Sequence, residues 1–98
     1  MFILPSFQSL KIFEAAARLA SFTQAADELG ISQGAVSQHI KNLEIRAGFD
    51  VFERTGRRVV LTASGQVLLD AVKQGLGHIQ QTIEVEKRKK QTNEILIS

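Results

Sequence analysis

Between Ser21 and Glu44 the chain reads SFTQAADELGISQGAVSQHIKNLE, and the fold turns on how this stretch is spaced. Helical periodicity predicts a short helix from about Thr23 to Leu29, a break at Gly30, and a second helix opening near Ser32. Ser21 is a helix cap, and Gln24 three residues later completes a capping-box pattern. Phe22, Ala25, Ala26 and Leu29 form the inward face of the first helix. Gly30 permits a positive φ that a side chain with a Cβ adopts only at a cost, which suits a sharp turn. Ile31 plugs the angle of that turn, and Ser32 caps the next helix. Ala35 or Val36, Ile40 and Leu43 then point inward, leaving Gln33, Gly34, Ser37, Gln38 and Lys41 outward. The pattern is a helix-turn-helix whose second helix is presented to something outside the chain.

On the N-terminal side, Pro5 and Ser6 start a helix of about residues 7–19, with Leu10, Phe13 and Ala17 forming one buried stripe. On the C-terminal side the helix ends near Gly48 and the period changes. Phe52, Val59 and Leu61 flank Arg54-Thr55-Gly56-Arg57-Arg58, which reads as a small two-stranded wing leaning on the helices. Thr62 caps a fourth helix from Ala63 to about Lys90. Its Leu69, Val72, Leu76, Ile79 and Ile83 alternate by three and four residues, as in a heptad seam, and are expected to pair with the same helix of a second copy. Gly75 and Gly77 lie beside that seam. Gln91-Thr92-Asn93 reads as a break, followed by Glu94-Ile95-Leu96-Ile97-Ser98 as the start of a strand. The expected organisation is mainly α: a winged helix-turn-helix over residues 1–62, a linker and dimerisation helix over 63–90, and over 91–98 a hinge opening a further, absent domain.

Composition narrows the function classes. Ninety-eight residues with 44% hydrophobic content, six Phe and no Cys suit one small domain without disulfides or thiolate zinc. No stretch reaches the roughly 20 apolar residues that span a bilayer, no secretory leader is visible, and a cytoplasmic location is the default. The net charge of +2 is by itself weak support for a nucleic-acid partner. His39 and His78 have no Cys or carboxylate at ligand spacing, and no nucleophile motif or phosphate loop is present. Neither an enzyme, nor a metal site, nor a cofactor is expected in this chain.

The residue types on the outward face suit double-stranded DNA. The amide of Gln33 can make the paired hydrogen bonds that an adenine edge offers in the major groove, and Ser37 lies one turn further along the same face. Gly34 or Ala35 permits close approach or contacts a thymine methyl. Arg54, Arg57 and Arg58 suit a hairpin tip that enters a minor groove or grips phosphates. Ser21 and Thr23 at a helix N-terminus, with Lys41, suit further phosphate contacts. Each group also fits a solvated polar surface; the capped helix, glycine turn and wing around them favour DNA. Lys87-Arg88-Lys89-Lys90 is read as the solvated end of a helix. The rival from another class is a protein-interaction module, with the helix-turn-helix as scaffold and the seam recruiting a helical partner.

These residues resemble the LysR-type transcriptional regulators across nearly the whole chain. The likeness is carried by Leu10 with Phe13-Glu14-Ala15-Ala16-Ala17, by SFTQAA and LGISQGAVSQHIKNLE, by Gly48, Val51-Phe52 and Arg54, and by Leu61-Thr62 through Gly65 and Leu68-Leu69. The Phe-Glu-Ala-Ala-Ala-Arg wording is most similar to the branch holding glycine-cleavage and β-lactamase regulators. The resemblance implies a winged helix-turn-helix, a linker helix pairing two subunits, and a C-terminal effector domain of periplasmic-binding-protein type that would take the small-molecule effector. It also implies that Thr23, Gln33, Ser37, Lys41 and the wing arginines Arg54, Arg57 and Arg58 approach DNA; Ser32, Gly34 and Gln38, at the start and on the outward face of the same helix, complete the expected DNA-binding set. The chain departs from the family pattern at Gly34, where Pro is frequent, and at Gln38, where Arg is common.

Overall fold

The computed structural model of the chain describes residues 4–54 and 58–97. It contains four helices: α1 (Phe7–Leu19), α2 (Phe22–Leu29), α3 (Gln33–Ala47) and α4 (Ala63–Ile97). Serine opens each of the first three. Ser6, Ser21 and Ser32 lie in extended backbone, and their hydroxyls accept the amides of Ser9, Gln24 and Ala35 at 3.1, 3.1 and 3.0 Å. Each closes on a left-handed residue: Ala20 (φ 51°), Gly30 (φ 68°) and Gly48 (φ 86°). Gly30 thus makes the turn expected of it. Ala20 makes the same turn with a Cβ in place, a conformation in which L-residues are disfavoured.

The first three helices pack against one another, and α4 rests on α1. Ile12, Phe13, Ala15 and Ala16 of α1, Ala25 and Ala26 of α2, and Val36, Ile40 and Leu43 of α3 are all buried. Val36, not Ala35, is therefore the fully inward residue at the start of α3. Small residues on α1 and α2 let the backbones approach, while Phe13 fills the centre. Its ring meets Phe52 edge-on at 5.6 Å, and Phe22 meets Phe52 from the α2 side at 5.5 Å. Such pairs add about 0.5 to 1.5 kcal/mol beyond the area they bury.

The segment joining α3 to α4 differs from the expected wing. Among the described residues it forms no strand, only an isolated antiparallel bridge between Phe52 and Leu61. The Glu53 amide donates to the Val60 carbonyl at 2.7 Å and the Thr62 amide to the Val51 carbonyl at 3.0 Å. Thr55, Gly56 and Arg57, the expected tip, lie outside the described residues. Pairing stays this short because the same few residues serve two neighbours: Val51 and Phe52 turn inward to the helices while Thr62 is already starting α4. The Thr62 hydroxyl donates to the Asp50 carbonyl at 2.6 Å and accepts the Gly65 amide at 2.9 Å.

α4 also departs from expectation at both ends of its stripe. Leu69 and Val72 are buried in the chain's own core and Leu76 packs partly against it, whereas Ile79 and Ile83 are 48% and 54% exposed. At the far end the helix continues through Gln91-Thr92-Asn93 to Ile97 in place of a break and a strand. Nothing in that tripeptide removes an amide or forces a positive φ, so the i to i+4 ladder can run on. A strand there would leave its amides without a partner.

Glycines 65 and 77 make opposite predictions. A Cβ at Gly65 would lie 2.2 Å from the Val51 carbonyl oxygen, whereas one at Gly77 meets nothing within 4 Å. Gly65→Ala is expected to destabilise by about 1 to 3 kcal/mol, because backbone must move. Gly77→Ala is expected to stabilise by up to about 1 kcal/mol. Thermal unfolding followed by circular dichroism separates them, and equal midpoints for the two variants would contradict the close approach.

Candidate nucleic-acid interface

The outward row of α3 follows from its inward one. With Val36, Ile40 and Leu43 buried, Gln33, Ser37 and Lys41 fall on the opposite side at intervals of four, all exposed. At 1.5 Å per residue this row spans about 12 Å. Gly34 and Gln38 flank it and are exposed too. The Gln38 amide is turned along the helix, its Nε2 donating to Asn42 Oδ1 at 3.1 Å. The Ser32 hydroxyl is taken up as the cap of α3. A Cβ at Gly34 would meet only Ser32 Oγ at 3.9 Å, an ordinary contact, so packing within the chain does not require glycine there.

Two side-chain bonds tie this face to its surroundings. Thr23, in the first turn of α2, donates its hydroxyl to Gln33 Oε1 at 3.2 Å, joining the N-terminal ends of the two helices. The second bond was not foreseen. Glu44 is buried at 6% exposure on the inward stripe, four residues after Ile40, and one carboxylate oxygen accepts the Val51 amide at 2.8 Å and the Phe52 amide at 3.4 Å. The other oxygen holds the Arg54 guanidinium, whose side chain is 60% exposed. The sequence did carry a signal. A carboxylate on an apolar helical stripe needs donors, and Arg54, ten residues on past the turn at Gly48, can return to supply them.

Arg54 is therefore the counterion of a buried acid as well as an exposed cation. It shares a shallow depression of about 380 Å³ with Lys41, Glu44 and Asp50. Arg58 is exposed, and Arg57 lies outside the described residues. The structure thus brings Thr23 to Gln33 and Lys41 to Arg54. On the far edge of α2, Arg18 of α1 bonds Glu14 at 2.9 Å and also reaches Glu28. The Arg18 guanidinium holds the Glu28 carboxyl below the usual carboxylate range, and the two acids raise Arg18 in turn, Glu28 most. This pair is exposed and clips α1 to α2.

His39 faces inward from α3, its Nδ1 3.0 Å from the buried Ser9 hydroxyl, and His78 is exposed on α4. Among the described residues, no group of three or more His, Cys, Asp or Glu is placed to hold a metal, and no helix is long and apolar enough to cross a membrane.

A capped helix, a left-handed glycine and a second helix with a polar outward row define a helix-turn-helix protein. Residues 7–66 match the family model for the bacterial regulatory helix-turn-helix proteins of the lysR family, and the chain belongs to that family. It is 46% identical over 79 residues, 81% of its length, to an uncharacterised HTH-type transcriptional regulator of Sinorhizobium fredii. To the RuBisCO operon transcriptional regulator of Allochromatium vinosum it is 42% identical over 82 residues, again 81% of the chain. To the glycine cleavage system transcriptional activator of Escherichia coli strain K12 it is 49% identical over 63 residues, 64% of the chain. It spans 26%, 27% and 21% of these relatives, about a quarter of their length.

Solved structures agree. A crystal structure of the BenM DNA-binding domain with benA site 1 DNA superposes with a TM-score of 0.81 at 34% identity, covering 85% of this chain and 93% of that one. The complex of the CbnR DNA-binding domain with DNA gives a TM-score of 0.77 at 27% identity, covering 86% and 97%.

Because two backbone amides and Arg54 depend on Glu44, Glu44→Ala is expected to destabilise by about 1 to 3 kcal/mol, the range for leaving buried donors unmet. Glu44→Gln, which keeps an acceptor oxygen, should lose less. Urea unfolding of the three proteins measures the order, and a Glu44→Ala variant as stable as wild type would dismiss the anchor.

Proposed function

We propose that this chain is the DNA-reading region of a bacterial transcription regulator, cytoplasmic and acting as a homodimer on an inverted repeat. The observation that carries it is the exposed row Gln33, Ser37, Lys41 on a helix otherwise committed to the core, in a fold shared with two DNA-bound relatives. In this reading α3 enters the major groove, Gln33 and Ser37 face base edges, and Lys41 meets a phosphate. Thr23 and Ser32 stand at helix N-termini whose free amides attract the phosphate backbone. Gly34 and Gln38 line the entering face. Residues 53–60 act as the wing, with Arg54, Arg57 and Arg58 beside the groove. No cofactor is required for any of these contacts.

Self-pairing is supported by α4. Every described side chain from Gly77 to Thr92 is exposed, and a helical segment of that size without packing is marginal in water. Beside it, Phe7 and Leu10 of α1, Phe49, and Leu68, Leu76 and Ile79 of α4 line an apolar groove of about 410 Å³. Leu76, Ile79 and Ile83 of a second copy would cover this surface, while Leu69 and Val72 act through the core on which α4 rests. Two copies would set two α3 helices in successive major grooves roughly 34 Å apart.

Two variants separate base reading from phosphate contact. Gln33→Ala is expected to cost about 1 to 3 kcal/mol at the preferred site and to flatten its sequence preference, whereas Lys41→Ala weakens all duplexes alike and reduces the salt slope by about one. Binding titrations across a salt series on selected and random duplexes read both effects. Absence of duplex binding even at low salt would turn the assignment towards a protein-interaction module. For pairing, Ile83→Asp alters an exposed position without touching the core, so it is expected to sediment as a folded monomer where wild type is dimeric. A dimeric Ile83→Asp protein would remove that residue from the interface.

A further inference from the structure

We infer that Thr23 is a specificity-determining positioning residue, which fixes the Gln33 amide so that it presents its Nε2 donors to the DNA and selects guanine over adenine. This rests on the reading of α3 as the base-reading helix and goes beyond it.

The geometry is the 3.2 Å hydrogen bond from the Thr23 hydroxyl to Gln33 Oε1, between side chains ten residues apart that are both exposed. Gln33 is the first residue of α3, just after the capping Ser32, and Thr23 is the second of α2. The bond therefore crosses the turn at Gly30, whose left-handed conformation sets the two helix starts side by side. An exposed glutamine otherwise samples many rotamers, and its terminal amide can present either its oxygen or its nitrogen. A donor on Oε1 removes much of that freedom. It leaves the two N–H groups of Nε2 as the uncommitted half of the side chain.

The major-groove edges of the bases sort by this difference. Guanine offers two acceptors, N7 and O6, whereas adenine offers the N7 acceptor and an N6 donor. Bidentate reading of adenine needs Oε1 to accept from N6, and here Oε1 is already accepting from Thr23. Its second lone pair keeps an adenine contact possible, but the oxygen must then serve two donors while the nitrogen uses one hydrogen. Guanine uses the donors that are free and asks nothing of the oxygen. The isolated side-chain inventory of glutamine favours adenine; the Thr23 bond reverses that preference.

The test is selection of bound duplexes from a random pool by wild type and by Gln33→Ala, Thr23→Val and Thr23→Ser variants of this chain. Gln33→Ala identifies the base position it reads, as the one whose preference disappears. At that position wild type is expected to favour guanine over adenine by about tenfold, the lower end of what one paired base contact discriminates. Thr23→Val, which keeps the shape and loses the hydroxyl, should move the ratio to parity or towards adenine. Thr23→Ser should keep guanine. A merely structural role for Thr23 would lower affinity for all duplexes without moving that ratio. Adenine preferred by wild type, or an unchanged ratio in Thr23→Val, overturns the inference while leaving Gln33 as a base reader. If Gln33→Ala flattens no position, base reading by Gln33 fails first and the inference falls with it.

Discussion

Everything between α3 and α4 hangs from the carboxylate of Glu44. The chain reverses at Gly48, and the Val51 and Phe52 amides then point back at α3, where that carboxylate receives them. Phe52 is thereby set between the rings of Phe13 and Phe22, which makes α1, α2 and the connecting segment a single packed unit. The Phe52–Leu61 bridge and the bonds at Thr62 carry the same constraint forward to the start of α4. Burying a charge is unfavourable unless its lone pairs are satisfied, and here two amides and a guanidinium satisfy them. A hydrophobic residue at position 44 would fill the space but leave both amides without a partner.

The same carboxylate explains the position of Arg54. A long cationic side chain on an irregular segment has no reason of its own to stand near α3. Its bond to Glu44 brings it to the depression that also holds Lys41, so the charge needed to compensate a buried acid becomes charge beside the outward row. Gly65 completes the arrangement from the other side, since only its missing Cβ lets α4 pass the Val51 backbone. The segment after α3 is thus held from both sides, by the Glu44 carboxylate of α3 and by the close passage of Gly65 in α4.

What could be read beforehand was what is local. Ser6, Ser21, Ser32, Gly30 and Gly48 mark helix ends by bonds to residues three or four positions away, so α1, α2 and α3 were legible to within a residue. The outward row of α3 was legible for the same reason, because burial of every third or fourth residue fixes the remainder. The Glu44 bonds were not, since they depend on how the chain returns after Gly48. Leu69 to Ile83 shows the limit of period alone. An apolar stripe says that a helix is covered, and the structure divides it between the chain's own core at Leu69 and Val72 and open surface at Ile79 and Ile83. Ile95-Leu96-Ile97 shows another limit, because a short apolar run does not distinguish strand from helix and the preceding residues decide it. Thr23 and Gln33 were each legible as candidates, but their bond was not, being set by the angle between two helices.

The outward row and the core are otherwise nearly independent. Gly34, Ser37, Gln38 and Lys41 are exposed and contribute little to packing, while Val36, Ile40 and Leu43 on the same helix are fully buried. A surface substitution away from caps and pairs changes stability by only about half a kcal/mol. The face can therefore change its chemistry without endangering the fold that displays it. The exceptions are the two places where a bond joins the face to the scaffold, Thr23 with Gln33 and Glu44 with Arg54. At the first, both partners are exposed, so the bond orders a side chain without stabilising the core appreciably. At the second, one partner is buried, so the same bond serves folding and surface charge together, and neither residue can be replaced without consequences for the other.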